Sequence, residues 1–315
     1  MPNFVDITNR IEKDQSKKYS FTIAYIGKKS LFAFRNRLED LVSFFGNISN
    51  IEVIYLDCSN IEITEAGDLL DKSRIIVPDR DISIVSAVNA AINFASSNNV
   101  LVMFVNYRLS LLSLKNIKDL FNLEPTLICI TPYVSYQGKK SADIVKVGIT
   151  NDLLDWVVVE NSKNPSTLTP NNFLGFYNKS LFVSIGGFNE ELDTPISLIE
   201  FGIRAWSSQC MIISSKHFLV DKIADFEVET SVGNLDKLST KYKYFLSRNP
   251  KKLLFKDIIS ILFLILKLDF KGVYSIIKEI RTYSKYKNRI SIFSPEVEKI
   301  FSVINYYDEN FGLEK

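Results

Sequence analysis

From residue 20 to residue 105 short apolar runs alternate with amphipathic stretches, and the last run, Val100 to Val105, stops at Asn106-Tyr107-Arg108. The runs YSFTIAYI, IEVIYLD, RIIV and VLVMFV are nearly unbroken in their apolarity, which is the mark of parallel strands covered on both faces. Between the first two, Leu31, Phe34, Leu38, Leu41 and Phe45 recur at helical spacing, and SIVSAVNAAINFASS reads as a second helix before the last run. The alternation predicts an α/β fold: a Rossmann-type parallel sheet with helices on both faces. Strands of such a sheet deliver polar tips to a ligand crevice at their carboxyl ends, so the amide, phenol and guanidinium at 106–108 become candidate site residues.

After Leu127 the pattern changes. Short β-like runs, TLICITPYV, DIVKVGI and DWVVVE, lead into a loop rich in Asn, Ser, Pro and Thr, NSKNPSTLTPNN. A helix is expected at about 195–208 and a strand at 211–213, followed by mostly helical sequence from Leu235 onward. The sheet is therefore expected to be mixed. The expected organisation is a lead at 1–18, an α/β domain at 19–230 and a helical C-terminal extension at 231–315.

A hydrophobic content of 46% over 315 residues supports a sizeable core. The 38 basic and 36 acidic side chains nearly cancel, which argues against nucleic acid as a partner and makes any electrostatic function local. Cys58, Cys129 and Cys210 form no CxxC pair, so neither a zinc knuckle nor a disulfide framework is readable, and no metal ligand set is assigned. His217, the only histidine, excludes mechanisms that need two. The charged start MPNFVDITNRIEKDQSKKYS lacks an apolar core, so a cytoplasmic protein is expected, peripheral at the inner face of the membrane if its tail binds lipid.

That tail is the stretch 251–289. Its apolar core, Ile258 to Leu266, is bounded by Asp257 and Lys267 and is far short of the ~20 residues a spanning helix needs. Basic residues outnumber acidic ones there, and two readings stand: a basic apolar helix pair resting on an anionic membrane surface, or a hairpin that caps the domain or contacts another subunit. The sequence specifies no oligomeric state.

Two nucleotide motifs are absent. GKKS at Gly27 to Ser30 follows a strand, but the glycine a phosphate-cradling P-loop needs five residues earlier is Thr22, and no GxGxxG follows any strand. What the chain does carry is SIGGFNEELDTPISLIEFGIRAW at 184–206, preceded in order by IEVIYLDCSN and SAVNAAINFASSNNVLVMFVNYRL. Over residues 18 to 225 this resembles the family 2 glycosyltransferases of the GT-A fold. Asp57-Cys58-Ser59 matches that family's acid-containing strand end, and Asn89, Ile92 and Ala95 its Asn-x-Gly-Ile-x-x-Ala helix, with Ala91 in the glycine place. Asn106-Tyr107-Arg108 stands where the family has Asp-x-Asp. Gly186-Gly187-Phe188-Asn189-Glu190 and Arg204 match its Gly-Gly-Phe-Asp-Glu turn and following arginine, and the acidic pair before that arginine falls on Ser197-Leu198.

The resemblance implies transfer of a sugar from a nucleotide-sugar donor to a glycan or lipid-linked acceptor, with Asp57 contacting the base or ribose of the nucleotide and with Mn²⁺ or Mg²⁺ as the usual metal. The two departures bear on the chemistry. Asn106 offers only a neutral carbonyl and Arg108 repels a cation, so a metal-independent transferase is expected, in which the Arg108 guanidinium itself forks onto the departing diphosphate. Lys28, Lys29, Arg35 and Arg37 add positive charge near the end of the first strand; each taken alone reads as a solvated surface charge. For the proton of the acceptor hydroxyl the candidate is Glu200, one turn from Ser197, with Glu190, Glu191 and Asp193 as competitors; against it stands a plain helix salt bridge from Glu200 to Arg204. Asn89, Asn106, Arg108 and Arg204 complete the expected binding set. The rival reading is an inactive glycosyltransferase-like scaffold, the outcome that loss of both acidic motifs would leave.

Overall fold

A computed structural model describes residues 2–6, 19–46, 48–60, 73–141, 143–150, 153–160, 165–192, 194–223, 250–266 and 269–286. They belong to two units, one drawn from 1–144 and 159–229, the other from 145–158 and 230–315.

The first unit is built on a ten-stranded mixed sheet with one layer of parallel strands at its heart. Phe21–Gly27 (β2), Ile51–Asp57 (β3), Arg74–Pro78 (β4) and Asn99–Phe104 (β5) lie in the order β4-β3-β2-β5, all parallel. Every residue of β2 and β3 is buried, as the unbroken apolarity requires of strands with both faces covered. The helix Leu31–Phe45 (α1) covers one face: Phe34 stacks on Tyr55 at 4.6 Å and packs against Tyr25, its register partner across β2 and β3. The helix Ile84–Phe94 (α2), which connects β4 back to β5, runs in the opposite lateral direction. A right-handed crossover therefore sets it on the other face.

The chain thus builds outward from β2 to β4 and then returns to place β5 on the other side of β2. The gap beyond the carboxyl ends of β2 and β5 is the point at which the winding reverses.

Beyond β5 the sheet becomes mixed. The order continues through Gly175–Asn178 (β11), antiparallel to β5, then Leu127–Tyr136 (β7), Met211–Lys222 (β12) and Tyr107–Leu112 (β6); Phe4–Asp6 (β1) pairs antiparallel with β4 at the far edge, and Lys139–Ser141 (β8) pairs with β7. Asp143–Thr150 (β9) and Leu153–Glu160 (β10) form a separate two-stranded ribbon, most of which belongs to the second unit. The helices Leu114–Leu123 (α3), Lys179–Ser184 (α4) and Thr194–Ser207 (α5) complete the first unit. In the second, Pro250–Leu266 (α6) and Phe270–Tyr286 (α7) pack against each other.

Three expectations are revised. β5 ends at Phe104, Val105 and Asn106 form a turn, and the chain re-enters the sheet at Tyr107, so Arg108 is the second residue of a new strand. The strand expected at 211–213 runs to Lys222, because Ser214 and Ser215, which break its apolar pattern, are buried at 4% and 6% exposure where its pairing with β7 shifts register. Helix α3, for which no element was expected, buries little beyond Ile117 and keeps an amphipathic face.

Candidate functional site

The carboxyl edge of the parallel strands is organised by one carboxylate. Asp57, fully buried at the end of β3, accepts from the Lys29 amide at 3.0 Å and the Ser59 amide at 2.8 Å through Oδ1, and from the Tyr55 hydroxyl through Oδ2. Burial, with the Asp57 carboxylate beside it, pushes the Tyr55 phenol well above its ordinary range, which keeps it a donor. Asp57 thereby holds the turn between β2 and α1, where Lys29 adopts φ 51°. A side chain at Gly27 has no room there, since a Cβ would stand 2.3 Å from Ser30 Oγ and 2.7 Å from Tyr55 Oη. The turn projects two exposed cations, Lys28 and Lys29, from the reversal point. Burial first and Asp57 second push the neighbouring Cys58 thiol up to about 12, against the pull of Lys28.

The second wall of the reversal point is the turn after β5. The Val105 amide donates to Ile26 O at 3.1 Å, extending the pairing of β2 with β5, and the Ile223 amide donates to Asn106 O at 2.9 Å, which brings the end of β12 to the same edge. Asn106 and Tyr107 are buried, whereas the Arg108 side chain is 53% exposed. Arg108 meets Asp221 of β12 in a single contact of 3.3 Å, and Ser110 Oγ also donates to Asp221. Burial alone would raise the Asp221 carboxyl, but hydrogen bonds from Ser110, Arg108 and Ser135 outweigh it and hold the group below its usual range. Arg37, by contrast, is paired with Asp40 along α1 at 2.8 Å.

These residues do not suit a divalent metal. The position of an Asp-x-Asp pair holds a buried amide, a buried phenol and a guanidinium, and the nearby carboxylate, Asp221, is already engaged by that guanidinium. Among the described residues no group of three or more His, Cys, Asp or Glu side chains is placed to hold an ion.

A second constellation surrounds the turn at Gly186 and Gly187, whose φ values of 88° and 65° require glycine. Asn89, from the middle of α2, clasps the residue that follows this turn by both its backbone groups: Nδ2 donates to Phe188 O at 2.8 Å and the Phe188 amide donates to Oδ1 at 2.9 Å. Asn89 Nδ2 also reaches Glu190 Oε1 at 3.0 Å, and Ser86 Oγ donates to Glu190 Oε2 at 2.8 Å. From the other side Arg204 donates to Ile185 O and, at 2.7 Å, to Gly187 O, while its Nε and Nη2 form a fork on Glu200 at 2.8 and 2.7 Å. Ser197 Oγ donates to Asn189 O at 3.0 Å. The turn is thus tied to α2 and α5 at once. Beside it a groove of about 460 Å³ is lined by Ser86, Asn89, Asn93, Phe94, Phe182 and Glu190, among others.

The expected site residues accordingly fall into two sets. Asp57, Asn106 and Arg108 lie at the carboxyl edge, and Asn89, Glu190, Glu200 and Arg204 lie around the glycine turn. Asp193 is outside the described residues. Sequence reasoning missed Asp221 and Ser110, since the strand carrying Asp221 reads as ending at residue 213.

No protein-family model matches the sequence, and no curated protein matches it. Among solved structures the chain is similar to GalNAc-T7 with UDP, GalNAc and Mn²⁺, at a TM-score of 0.52 and 10% identity over 74% of this chain and 50% of that one. It is also similar to S. aureus TarS 1-349 in complex with UDP-GlcNAc, at a TM-score of 0.51 and 12% identity over 92% of this chain and 88% of that one. The chain therefore spans half the length of the GalNAc-T7 chain it matches. The likeness shows the fold, a mixed α/β sheet of the GT-A glycosyltransferase type.

Proposed function

We propose, on the premise of this GT-A-type fold, that the protein transfers a sugar from a nucleotide-sugar donor to a glycan or lipid-linked acceptor without a tightly held metal. The observation that carries the reading is the reversal point between β2 and β5, walled by the Lys28-Lys29 turn and by Arg108. Open α/β sheets bind ligands at such a point, and a diphosphate is the part of a donor that three cations recognise. The solved structures with UDP and with UDP-GlcNAc make a nucleotide sugar the ligand class of choice.

In the reaction the acceptor hydroxyl oxygen forms a bond to the anomeric carbon, the bond from that carbon to the diphosphate oxygen breaks, and negative charge develops on the departing diphosphate. Stabilisation of that charge is the larger task. Arg108 takes it with a guanidinium whose present partner is cheap to leave: a half-exposed single contact of 3.3 Å to Asp221 is worth about 0–1 kcal/mol, less than a two-point grip on phosphate oxygens. Asp57 acts as a positioning residue for the Lys28-Lys29 turn, since all its described contacts are with that turn and its neighbours.

The acceptor proton goes to Glu190. Its carboxylate is exposed and, among the described residues, accepts from two neutral donors, Ser86 and Asn89, whereas both oxygens of Glu200 are held by Arg204. Asn89, Arg204 and Glu200 then serve to hold the turn that presents Glu190.

The test is release of nucleoside diphosphate from a panel of nucleotide sugars, with Mn²⁺ and with EDTA, for the wild type and for Arg108→Ala and Glu190→Gln. Turnover that survives EDTA and falls at least a hundredfold in either variant is expected, about the weight of one transition-state contact or of one acid–base group. Turnover abolished by EDTA refutes metal independence, and nucleotide binding unaffected by loss of Arg108 refutes the assignment of the phosphate site.

A further inference from the structure

The pair of helices α6 and α7 is inverted in its burial. Asp257 and Glu279, both acids, are 8% and 6% exposed, while Phe255, Phe270 and Tyr274 are 67%, 64% and 67% exposed and Ile258, Ile259 and Ile277 are exposed with them. The spacing makes this a pattern. Phe255, Ile258 and Ile259 stand at i, i+3 and i+4 on α6, and Phe270, Tyr274 and Ile277 at i, i+4 and i+7 on α7, so each helix turns one continuous apolar stripe outward. Large apolar side chains set contiguously in water mark a surface that something else covers.

Charge identifies the covering surface. The described exposed charges within the two helices are Lys256, Lys271, Lys278 and Arg281, all cations. Lys256 and Lys271 follow Phe255 and Phe270 by one residue, about 100° around their helices, and Arg281 extends the α7 stripe one turn beyond Ile277. The stripes are therefore flanked and ended by positive charge; Asp257 and Glu279 are buried, and the one exposed acid among the described residues of the hairpin, Asp269, stands just before Phe270 and caps the start of α7 by accepting from the Gly272 amide at 3.0 Å. A second copy in a two-fold contact would set these cations against one another. An anionic surface neutralises all of them. The helices are 17 residues each, and no described helix is long and apolar enough to cross a membrane, so contact along such a surface is the mode these helices suit.

We propose that the hairpin of α6 and α7 docks the protein on an anionic phospholipid bilayer, with Phe255, Ile258, Ile259, Phe270, Tyr274 and Ile277 in the boundary between headgroups and acyl chains and Lys256, Lys271 and Arg281 against lipid phosphates. Aromatic side chains favour that boundary, and each basic residue near it adds to the attraction. Docking needs neither donor nor acceptor, so it stands or falls independently of the glycosyl transfer proposed above.

The test is flotation of the full chain with vesicles of phosphatidylcholine alone and of phosphatidylcholine with about one third phosphatidylglycerol. The wild type is expected to float with the anionic vesicles, less so as salt is raised. The triple variant Lys256→Gln/Lys271→Gln/Arg281→Gln loses about fivefold in partitioning per cation, about a hundredfold in all. Phe255→Ser/Tyr274→Ser, which touches only exposed side chains and so leaves the thermal midpoint within about 2 °C, abolishes flotation. Equal binding to both vesicle types overturns the proposal. So does a wild type that stays in solution as an oligomer which the Phe255→Ser/Tyr274→Ser variant converts to a monomer.

Discussion

Asn89→Ala separates two roles that one residue type at one position can serve. In the structure Asn89 is 9% exposed and satisfies both backbone groups of Phe188, a residue itself 2% exposed. Removing the amide leaves an N–H and a C=O in the interior without these partners, at about 1–3 kcal/mol each. Alanine returns about 0.5 kcal/mol through its better helix propensity. A net loss of about 1.5–5.5 kcal/mol follows, which for a unit of this size lowers the thermal midpoint by roughly 10 °C at mid-range. The loss has a local signature as well: the Phe188 amide, now without Oδ1, should exchange its hydrogen faster, and the Gly186-Gly187 turn should loosen with it. Urea unfolding of Asn89→Ala beside Ser86→Ala supplies the scale, since Ser86 gives the exposed Glu190 one neutral hydrogen bond and its removal should cost under about 1 kcal/mol. If Asn89→Ala unfolds at the wild-type urea concentration with unchanged exchange at Phe188 but binds nucleotide poorly, the turn-holding role is refuted and Asn89 is a ligand contact.

Three further outcomes are expected. Arg74→Met removes the partner of Glu52, which is 3% exposed and also accepts from Thr22, Ser96 Oγ and the Ser96 amide; a loss of about 3–5 kcal/mol by urea unfolding is expected, with little change in high salt, and a loss below 1 kcal/mol would show the cluster to be idle. Gly202→Ala, a change that helix propensity alone favours, should destabilise by about 2 kcal/mol, because the new Cβ would meet Leu168 O at 2.1 Å; an equal or higher urea midpoint contradicts this packing. Asp221 is held below its unfolded pKa, so its stabilisation is present above about pH 4 and is lost as pH falls through the lower folded value; the difference in unfolding free energy between wild type and Asp221→Asn, about 1 kcal/mol or less, should shrink over that acid range, and a difference flat with pH refutes it.

The parallel strands were legible because burial on both faces leaves no room for polar alternation, so β2, β3 and β5 announce themselves as apolar runs. β12 was half hidden for the opposite reason: Ser214 and Ser215 are polar yet buried at a register shift, a tertiary circumstance that no local pattern encodes. The site followed the same division. The fork of Arg204 on Glu200 is an i,i+4 pair and could be read from spacing alone, and the two glycines announced a turn. That Asn89 clasps this turn from 99 residues away could not be read, since nothing in α2 marks an inward-facing amide as bonded. Arg108 was identified as a cation at the edge, but its partner Asp221 lies on the portion of β12 that the polar run concealed.

The three residues of β1 have a consequence for the integrity of the sheet. They cover the outer side of β4 with backbone hydrogen bonds from Phe4 to Asp6, and Asp6 closes the fork of Arg74 at 3.2 and 2.9 Å. A chain shortened to residue 19, where the parallel strands begin, would retain every element of the reversal point and still present β4 as a bare strand of unsatisfied amides and carbonyls. Such an edge is a template for pairing with another molecule. The shortened protein should therefore self-associate through its sheet, its solubility governed by three residues at the side of the fold away from the Lys28-Lys29 turn.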